Sequence, residues 1–199
     1  MIAIVDVCSG NLRSVERALE HVGGHAVVTR DPEVVRRATK VVVPGQGSFA
    51  VFMRELAGRG LSDALRETIA NGTPYFGICL GLQVLFEHSE EGDVAGLGVL
   101  AGNVVKFAPT DRTLKVPHMG WNRVTQQQPV SGLADGAYVY FVHSYFAVPT
   151  DRSVIALEAT HGVTFCAAIQ SQNLFACQFH PEKSQVVGLQ MLRAFVEAA

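Results

Sequence analysis

The pentapeptide Gly77-Ile78-Cys79-Leu80-Gly81 constrains this chain more than any other stretch. It follows the apolar run Pro74-Tyr75-Phe76 and precedes Leu82-Gln83-Val84-Leu85-Phe86-Glu87, which has helical character. The order predicts a strand at Tyr75–Ile78, a tight turn, and a helix, with a thiol at the apex. The nucleophile elbow of serine hydrolases follows the same G-x-nucleophile-x-G logic. Two glycines let the backbone turn sharply and leave room beside the nucleophile. The thiol then sits at a helix N-terminus, where the dipole and free N–H groups favour an anion.

Far along the chain, Phe179-His180-Pro181-Glu182 offers a base and a carboxylate to orient it. On an extended segment residues i and i+2 share a face, so Glu182 can bond the imidazole. His180 would take the thiol proton and later return it to a leaving ammonia or amine. Glu182 would fix the tautomer and stabilise imidazolium. A lone His-Pro-Glu fits a surface turn equally well, and gains its meaning from the elbow. The N–H of Leu80, next after the nucleophile, is one expected oxyanion donor. The turn Pro44-Gly45-Gln46-Gly47 is the expected source of the second. Gln83 returns to the Cys79 helix face one turn later and is a candidate pocket residue. Cys8, Cys166 and Cys177 read as small buried hydrophobes.

The rest of the first half alternates strand and helix. Ile2–Val7 reads as a buried strand, and Leu12, Val15, Leu19 and Val22 recur at helical spacing until Gly23-Gly24. Ala26–Thr29 is a second strand. Asp31-Pro32-Glu33 starts a helix with a cap, a first-turn proline and an acid. Lys40–Val43 is a third strand, followed by helices near Phe49–Leu56 and Ser62–Ala70. This order implies a doubly wound, mostly parallel α/β sheet flanked by helices, with ligands at the strand carboxyl ends. Pro44–Gly47 and Cys79 both lie there. From Val99 to Gln178 the pattern is strand-rich, with turns at Gly102-Asn103, Gln127–Gly132 and His161-Gly162. Additional antiparallel strands should extend or flank the sheet. A last helix, about Ser184–Ala198, groups Val186, Leu189, Leu192, Phe195 and Val196 on one face.

The chain has 199 residues, 48% of them apolar and 17% charged, which suits one domain spanning 1–199 with a full core. A net charge of −2 without a basic stripe gives no sign of nucleic-acid binding. The four cysteines lack zinc spacing, so reduced thiols in a cytoplasmic protein are the simplest reading. No signal peptide or membrane span is legible. His118, His143 and Trp121 fall in polar-aromatic stretches, but without H-x-x-x-H spacing no metal is expected, and no cofactor.

Together, the elbow and Phe179-His180-Pro181-Glu182 resemble the class I (triad) glutamine amidotransferases. Further stretches resemble one branch, the glutaminase subunits of imidazole glycerol phosphate synthase. These are Gly10-Asn11-Leu12-Arg13-Ser14, Pro44-Gly45-Gln46-Gly47-Ser48-Phe49, Val116-Pro117-His118-Met119-Gly120-Trp121-Asn122, Phe141-Val142-His143-Ser144-Tyr145 and the continuation Lys183-Ser184. The resemblance implies a Cys79–His180–Glu182 triad that hydrolyses glutamine through a thioester, and an oxyanion strand at Pro44–Gly47. It places Gln83, Glu91, His143, Ser144 and Tyr145 near bound glutamine. It puts Trp121, Asn122 and Lys183 at the interface with a (β/α)₈ cyclase subunit in a heterodimer. That subunit would use the channelled ammonia to turn PRFAR into imidazole glycerol phosphate and AICAR, in histidine biosynthesis. Two places depart from the branch. Asp6-Val7-Cys8-Ser9 replaces the usual Asp-Tyr-Gly and a small residue, and Gln46 stands where valine is common. An oxyanion hole completed only on partner binding is the matching expectation. Competing readings are the glutaminase of another amidotransferase, a stand-alone cysteine hydrolase, and a non-catalytic binding protein of the same fold.

Overall fold

The computed structural model describes residues 1–8, 11–111 and 113–198. Ser9 and Gly10, part of two motifs above, lie outside the described residues.

Among the described residues, fourteen strands and six α-helices follow one another. The first half comprises β1 (Ile2–Val5), α1 (Leu12–His21), β2 (Ala26–Thr29), α2 (Pro32–Arg36), β3 (Lys40–Gly45), α3 (Phe49–Gly58), α4 (Leu61–Ala70), β4 (Tyr75–Cys79) and α5 (Leu80–Gln83). The second half is β5 (Phe86–Ser89), β6 (Val94–Ala95), β7 (Leu100–Lys106), β8 (His118–Arg123), β9 (Thr125–Gln126), β10 (Tyr138–His143), β11 (Tyr145–Pro149), β12 (Ile155–His161), β13 (Val163–Ser171), β14 (Leu174–Cys177) and α6 (Gln185–Glu197).

The main sheet has the order β2-β1-β3-β4-β14-β13-β12-β9. Its first five strands are parallel, and the remaining three extend it antiparallel. Alternation along the strands splits the core into two layers. Ile2, Ile4, Val42, Phe76 and Ile78 face α1 and α6, while Ala3, Val5, Val41, Val43 and Tyr75 face α2, α3 and α4. A four-stranded sheet, β11-β7-β5-β6, joins the second layer, and the β10-β8 ribbon joins the first. The start of α2 follows its cap chemistry. Asp31 Oδ1 accepts the Glu33 N–H at 2.8 Å, with Pro32 at the first helical position. Among the described residues no helix is long and apolar enough to cross a membrane.

Four local expectations are corrected. The stretch Leu82–Glu87 is not a helix: α5 ends at Gln83, and Phe86 opens β5. Its backbone pairs with β6 at His88 and Ser89 and with β7 at Phe86, His88 and Ser89, and this ladder makes it a strand. Gly102-Asn103 is not a turn but the middle of β7. Gly102 takes φ 134°, and a side chain there would run into the Val148 carbonyl of the neighbouring strand. Val186 does not join the buried face of α6; it is 66% exposed, while Gly188, Met191 and Leu192 are buried. β1 ends at Val5 rather than Val7, although the Asp6 N–H still reaches the Thr29 carbonyl.

Candidate active site

The elbow is built by close backbone approach. Cys79 ends β4 with φ 56° and ψ −105°, a strained conformation for a residue with a side chain. Neither flanking glycine has positive φ; their role is space. A Cβ on Gly81 would strike the Val43 carbonyl of β3, and one on Gly77 would strike Gly81 itself. The Tyr75 hydroxyl donates to the Gly81 carbonyl at 2.7 Å and pins the turn from below. Burial pushes the Tyr75 pKa well up, so it stays a neutral donor. Because α5 has only four residues, its dipole contributes little to the site. Fixed geometry carries more of the argument than the helix end does.

His180 lies beyond β14, which pairs in parallel with β4 and so runs beside the elbow. The segment is not extended as expected: Pro181–Lys183 form a single 3₁₀ turn. The turn still brings Glu182 back onto the imidazole, with Oε1 accepting from Nδ1–H at 2.9 Å. Both side chains are buried, 5% and 1% exposed. Since the carboxylate holds the Nδ1 proton, Nε2 is the nitrogen free to accept one, and it has no partner of regular geometry. Burial pushes the His180 pKa down, but the Cys79 sulfur and the Glu182 carboxylate on either side outweigh it and lift it to about 10. The imidazole is therefore a stronger base than free histidine. Ser184 locks the turn, donating Oγ–H to the His180 carbonyl at 2.7 Å and accepting the Tyr140 N–H at 3.0 Å.

Cys79 and His180 open onto one cavity of about 290 Å³, a size suited to an amino-acid ligand. Leu80, Gln46, Gly47, Gln83, Glu91 and the segment His143-Ser144-Tyr145 also line it. Gly45 pairs directly with Cys79 across the β3/β4 register. The Glu91 carboxylate accepts the Phe49 N–H at 2.9 Å, tying it to the first residue of α3 just after the Gly45–Ser48 turn. Deeper in, the Tyr145 carbonyl accepts from both Gln83 Nε2 at 3.0 Å and His143 Nδ1–H at 2.8 Å. A carbonyl cannot donate, so His143 carries its proton on Nδ1 and accepts at Nε2 from His118 Nδ1–H, 3.0 Å away. His118 Nε2 in turn accepts from Asn122 Nδ2 at 3.2 Å. Burial drives the His143 pKa down to about 3; burial and the neighbouring His161 drive His118 to about 4. Both histidines are neutral. His143 can offer a ligand no ring nitrogen without breaking one of these bonds. Among the described residues no group of three or more histidine, cysteine or acidic side chains is arranged to hold a metal. The other thiols differ in setting from Cys79. Burial raises Cys166 to about 12 and pushes Cys177 well up; burial and the nearby Glu55 raise Cys8.

The sequence pattern of the family described as glutamine amidotransferase class-I matches residues 3–199. The chain is a class I glutamine amidotransferase. Among curated relatives of this amidotransferase is the imidazole glycerol phosphate synthase subunit HisH of Dechloromonas aromatica. It is 52% identical over 98% of this chain and 95% of its own. The HisH subunit of Aromatoleum aromaticum is 50% identical over 100% of this chain and 98% of its own. A crystal structure titled as a glutamine amidotransferase superposes with a TM-score of 0.77 at 20% identity, over 98% of this chain and 97% of the other. The PurLQS structure from Thermotoga maritima gives 0.72 at 17% identity, over 98% and 94%, a likeness of fold.

In this amidotransferase the cavity gathers Cys79, Leu80, Gln46, Gly47, Gln83, Glu91, His143, Ser144, Tyr145 and His180, with Glu182 behind His180. Trp121, Asn122 and Lys183 lie outside it. Trp121 is 46% exposed and packs edge-on to Tyr140, whose ring also lies under Lys183 Nζ. Asn122 bonds the Thr160 carbonyl and His118. Three residues that sequence reasoning passed over are Tyr75, Ser184 and Gln178. Gln178 is fully buried, and its Nε2 lies 3.5 Å from Cys79 Sγ. Tyr75 and Ser184 were visible only as parts of longer apolar or motif strings. For Gln178 the available signal was an amide side chain at the end of an otherwise apolar strand.

Proposed function

We propose that this chain is the glutaminase subunit of an imidazole glycerol phosphate synthase, folded as one amidotransferase domain over its 199 residues. Cys79 Sγ, whose proton rests on His180 Nε2, attacks the side-chain carboxamide of L-glutamine. The tetrahedral oxyanion collapses, and ammonia leaves with the proton from His180. Water, activated by the same imidazole, cleaves the thioester to L-glutamate and restores the thiol. The observation that carries this reading is the shared cavity: a nucleophile on a strained elbow facing a histidine held by a buried carboxylate. The Leu80 N–H and a peptide N–H of Gly45–Gly47 act as oxyanion donors, each worth about 10²–10³ in rate. Glu91 and Gln83 line the site for the substrate's α-substituents.

Full-length identity near 50% to HisH subunits favours the histidine-biosynthesis branch. Ammonia then passes to a (β/α)₈ cyclase subunit that turns PRFAR into imidazole glycerol phosphate and AICAR, in a heterodimer within the cytoplasm. Exposed Met119, Trp121, Tyr138 and Val186, with Lys183 beside them, form the docking face. The test is glutamate release by the purified chain, alone and with a cyclase subunit plus its nucleotide. Stimulation by the liganded partner that disappears in Cys79→Ser supports the reading. Equal rates without the partner would move the chain toward a self-sufficient hydrolase.

A further inference from the structure

The row of hydrogen bonds beneath the cavity has a forced direction. Tyr145 C=O is an acceptor only, so the group Gln83 turns toward it must be Nε2. The same Nε2 also lies 2.9 Å from the Gln178 side chain, which must therefore present Oε1. The Gln178 amide can then face Cys79 in only one way, with Nε2–H toward Sγ at 3.5 Å. Gln178 is 0% exposed and Gln83 2%, so each amide meets the other in place of bulk solvent. Phe179, between Gln178 and His180, goes into the core, while the residues on both sides of it reach the Cys79 region. The segment just after β14 thus brings two groups to the thiol region, the Gln178 amide and the His180 imidazole.

We propose that Gln178 is a positioning residue for the nucleophile, its N–H group holding Cys79 Sγ in place and stabilising negative charge on it. This rests on the reading of Cys79 as the nucleophile. Cys79 caps no helix through its side chain; the Gln178 amide holds its sulfur in one orientation. The lock on the amide is the Gln83–Tyr145 pair. Gln83 therefore acts twice, fixing Gln178 through Nε2 and leaving a buried, unpartnered Oε1 at the cavity wall. A hydrogen bond to a charged group contributes enough for a rate effect of about 10- to 100-fold. The long N···S separation here points to the lower end.

Two variants test it, Gln178→Met and Gln178→Glu. The first removes the donor to Sγ with little change of shape. The second keeps an acceptor for Gln83 Nε2 but turns carboxylate oxygen toward the sulfur. Each is compared with wild type by iodoacetamide alkylation across a pH series, with label at Cys79 read by peptide mass spectrometry. Half-buried Cys8 is thereby counted separately. Glutamine hydrolysis is measured in the complex with the cyclase subunit. The proposal expects the Cys79 alkylation profile to move to higher pH and kcat to fall about tenfold in Gln178→Met, with KM little changed. Gln178→Glu should show larger effects in the same direction. A merely structural role would lower the denaturation midpoint and leave the folded protein with the wild-type alkylation profile and kcat; that result overturns the proposal. Should Gln178→Met fail to fold, Gln178→Glu decides alone. Hydrolysis that survives Cys79→Ser sinks the nucleophile reading instead. The alkylation profile, which needs only the thiol, still decides whether Gln178 acts on Sγ.

Discussion

Replacing Glu182 by glutamine removes one negative charge from a pair in which both side chains are almost fully buried. The Nδ1–Oε1 distance of 2.9 Å is that of a charge-assisted bond, and such bonds contribute ~1.5–3 kcal/mol. With its Oε1 facing Nδ1, glutamine still accepts the Nδ1 proton and keeps the tautomer. The loss should stay below the ~10⁴ seen when a triad carboxylate is exchanged and the tautomer inverts. We expect kcat for glutamine hydrolysis to fall ~10- to 100-fold with KM little changed. The same substitution has a thermodynamic signature. His180 binds its proton more tightly when folded, near pH 10, than at its ordinary value of 6.5. Its contribution to stability is therefore complete below about pH 6.5 and disappears as pH rises through about 10. Denaturant titrations from pH 7 to 10 should show wild type losing stability steadily and Glu182→Gln losing less. A variant with wild-type kcat and an unchanged pH slope would refute the coupling of Glu182 to His180.

Three other expectations follow from the frame. His143 and His118 stay neutral in the fold, with values depressed to about 3 and 4 from 6.5. The unfolded chain takes up those protons first, so stability should fall as pH drops from about 6.5 toward 4; a flat profile in denaturant titrations would contradict this. Gly81→Ala drives a methyl group into the Val43 carbonyl and should cost at least ~3 kcal/mol, read as a lower denaturation midpoint or loss of soluble protein. Tyr75→Phe leaves the buried Gly81 carbonyl without its donor and should cost ~1–3 kcal/mol; an unchanged midpoint would show that the elbow does not need this bond.

What could be read from the chain was whatever is encoded locally. The Gly-x-Cys-x-Gly string is its own turn chemistry, and strand–helix alternation along the first half determines the order of layers. The Asp31-Pro32-Glu33 start worked for the same reason. Long-range pairing was not legible. Phe86-Glu87-His88-Ser89 continues a helical-looking string, and only its partners β6 and β7 make it a strand. Gly102 reads as punctuation until the Val148 carbonyl on β11 is seen against it. Val186 has the hydrophobicity of a core residue but lies on the open side of α6, beside Trp121 and Tyr138. In the site, His180 and Glu182 could be paired from two positions of spacing, though the turn that joins them is 3₁₀ rather than extended. Gln178, Ser184 and Tyr75 were missed because each acts through a residue remote in sequence or through a backbone carbonyl, and no spacing rule records such a partner.

The most direct test of the central claim is to trap the covalent intermediate. The complex with a cyclase subunit and its nucleotide is mixed with excess glutamine, quenched in acid within the turnover time, digested and weighed. The account predicts a glutamyl group on the peptide that carries Cys79, absent in Cys79→Ser and accumulating in Glu182→Gln if that substitution slows hydrolysis of the thioester more than its formation. Glutamate release with the adduct on Cys8, Cys166 or Cys177, or release that persists in Cys79→Ser, would contradict it.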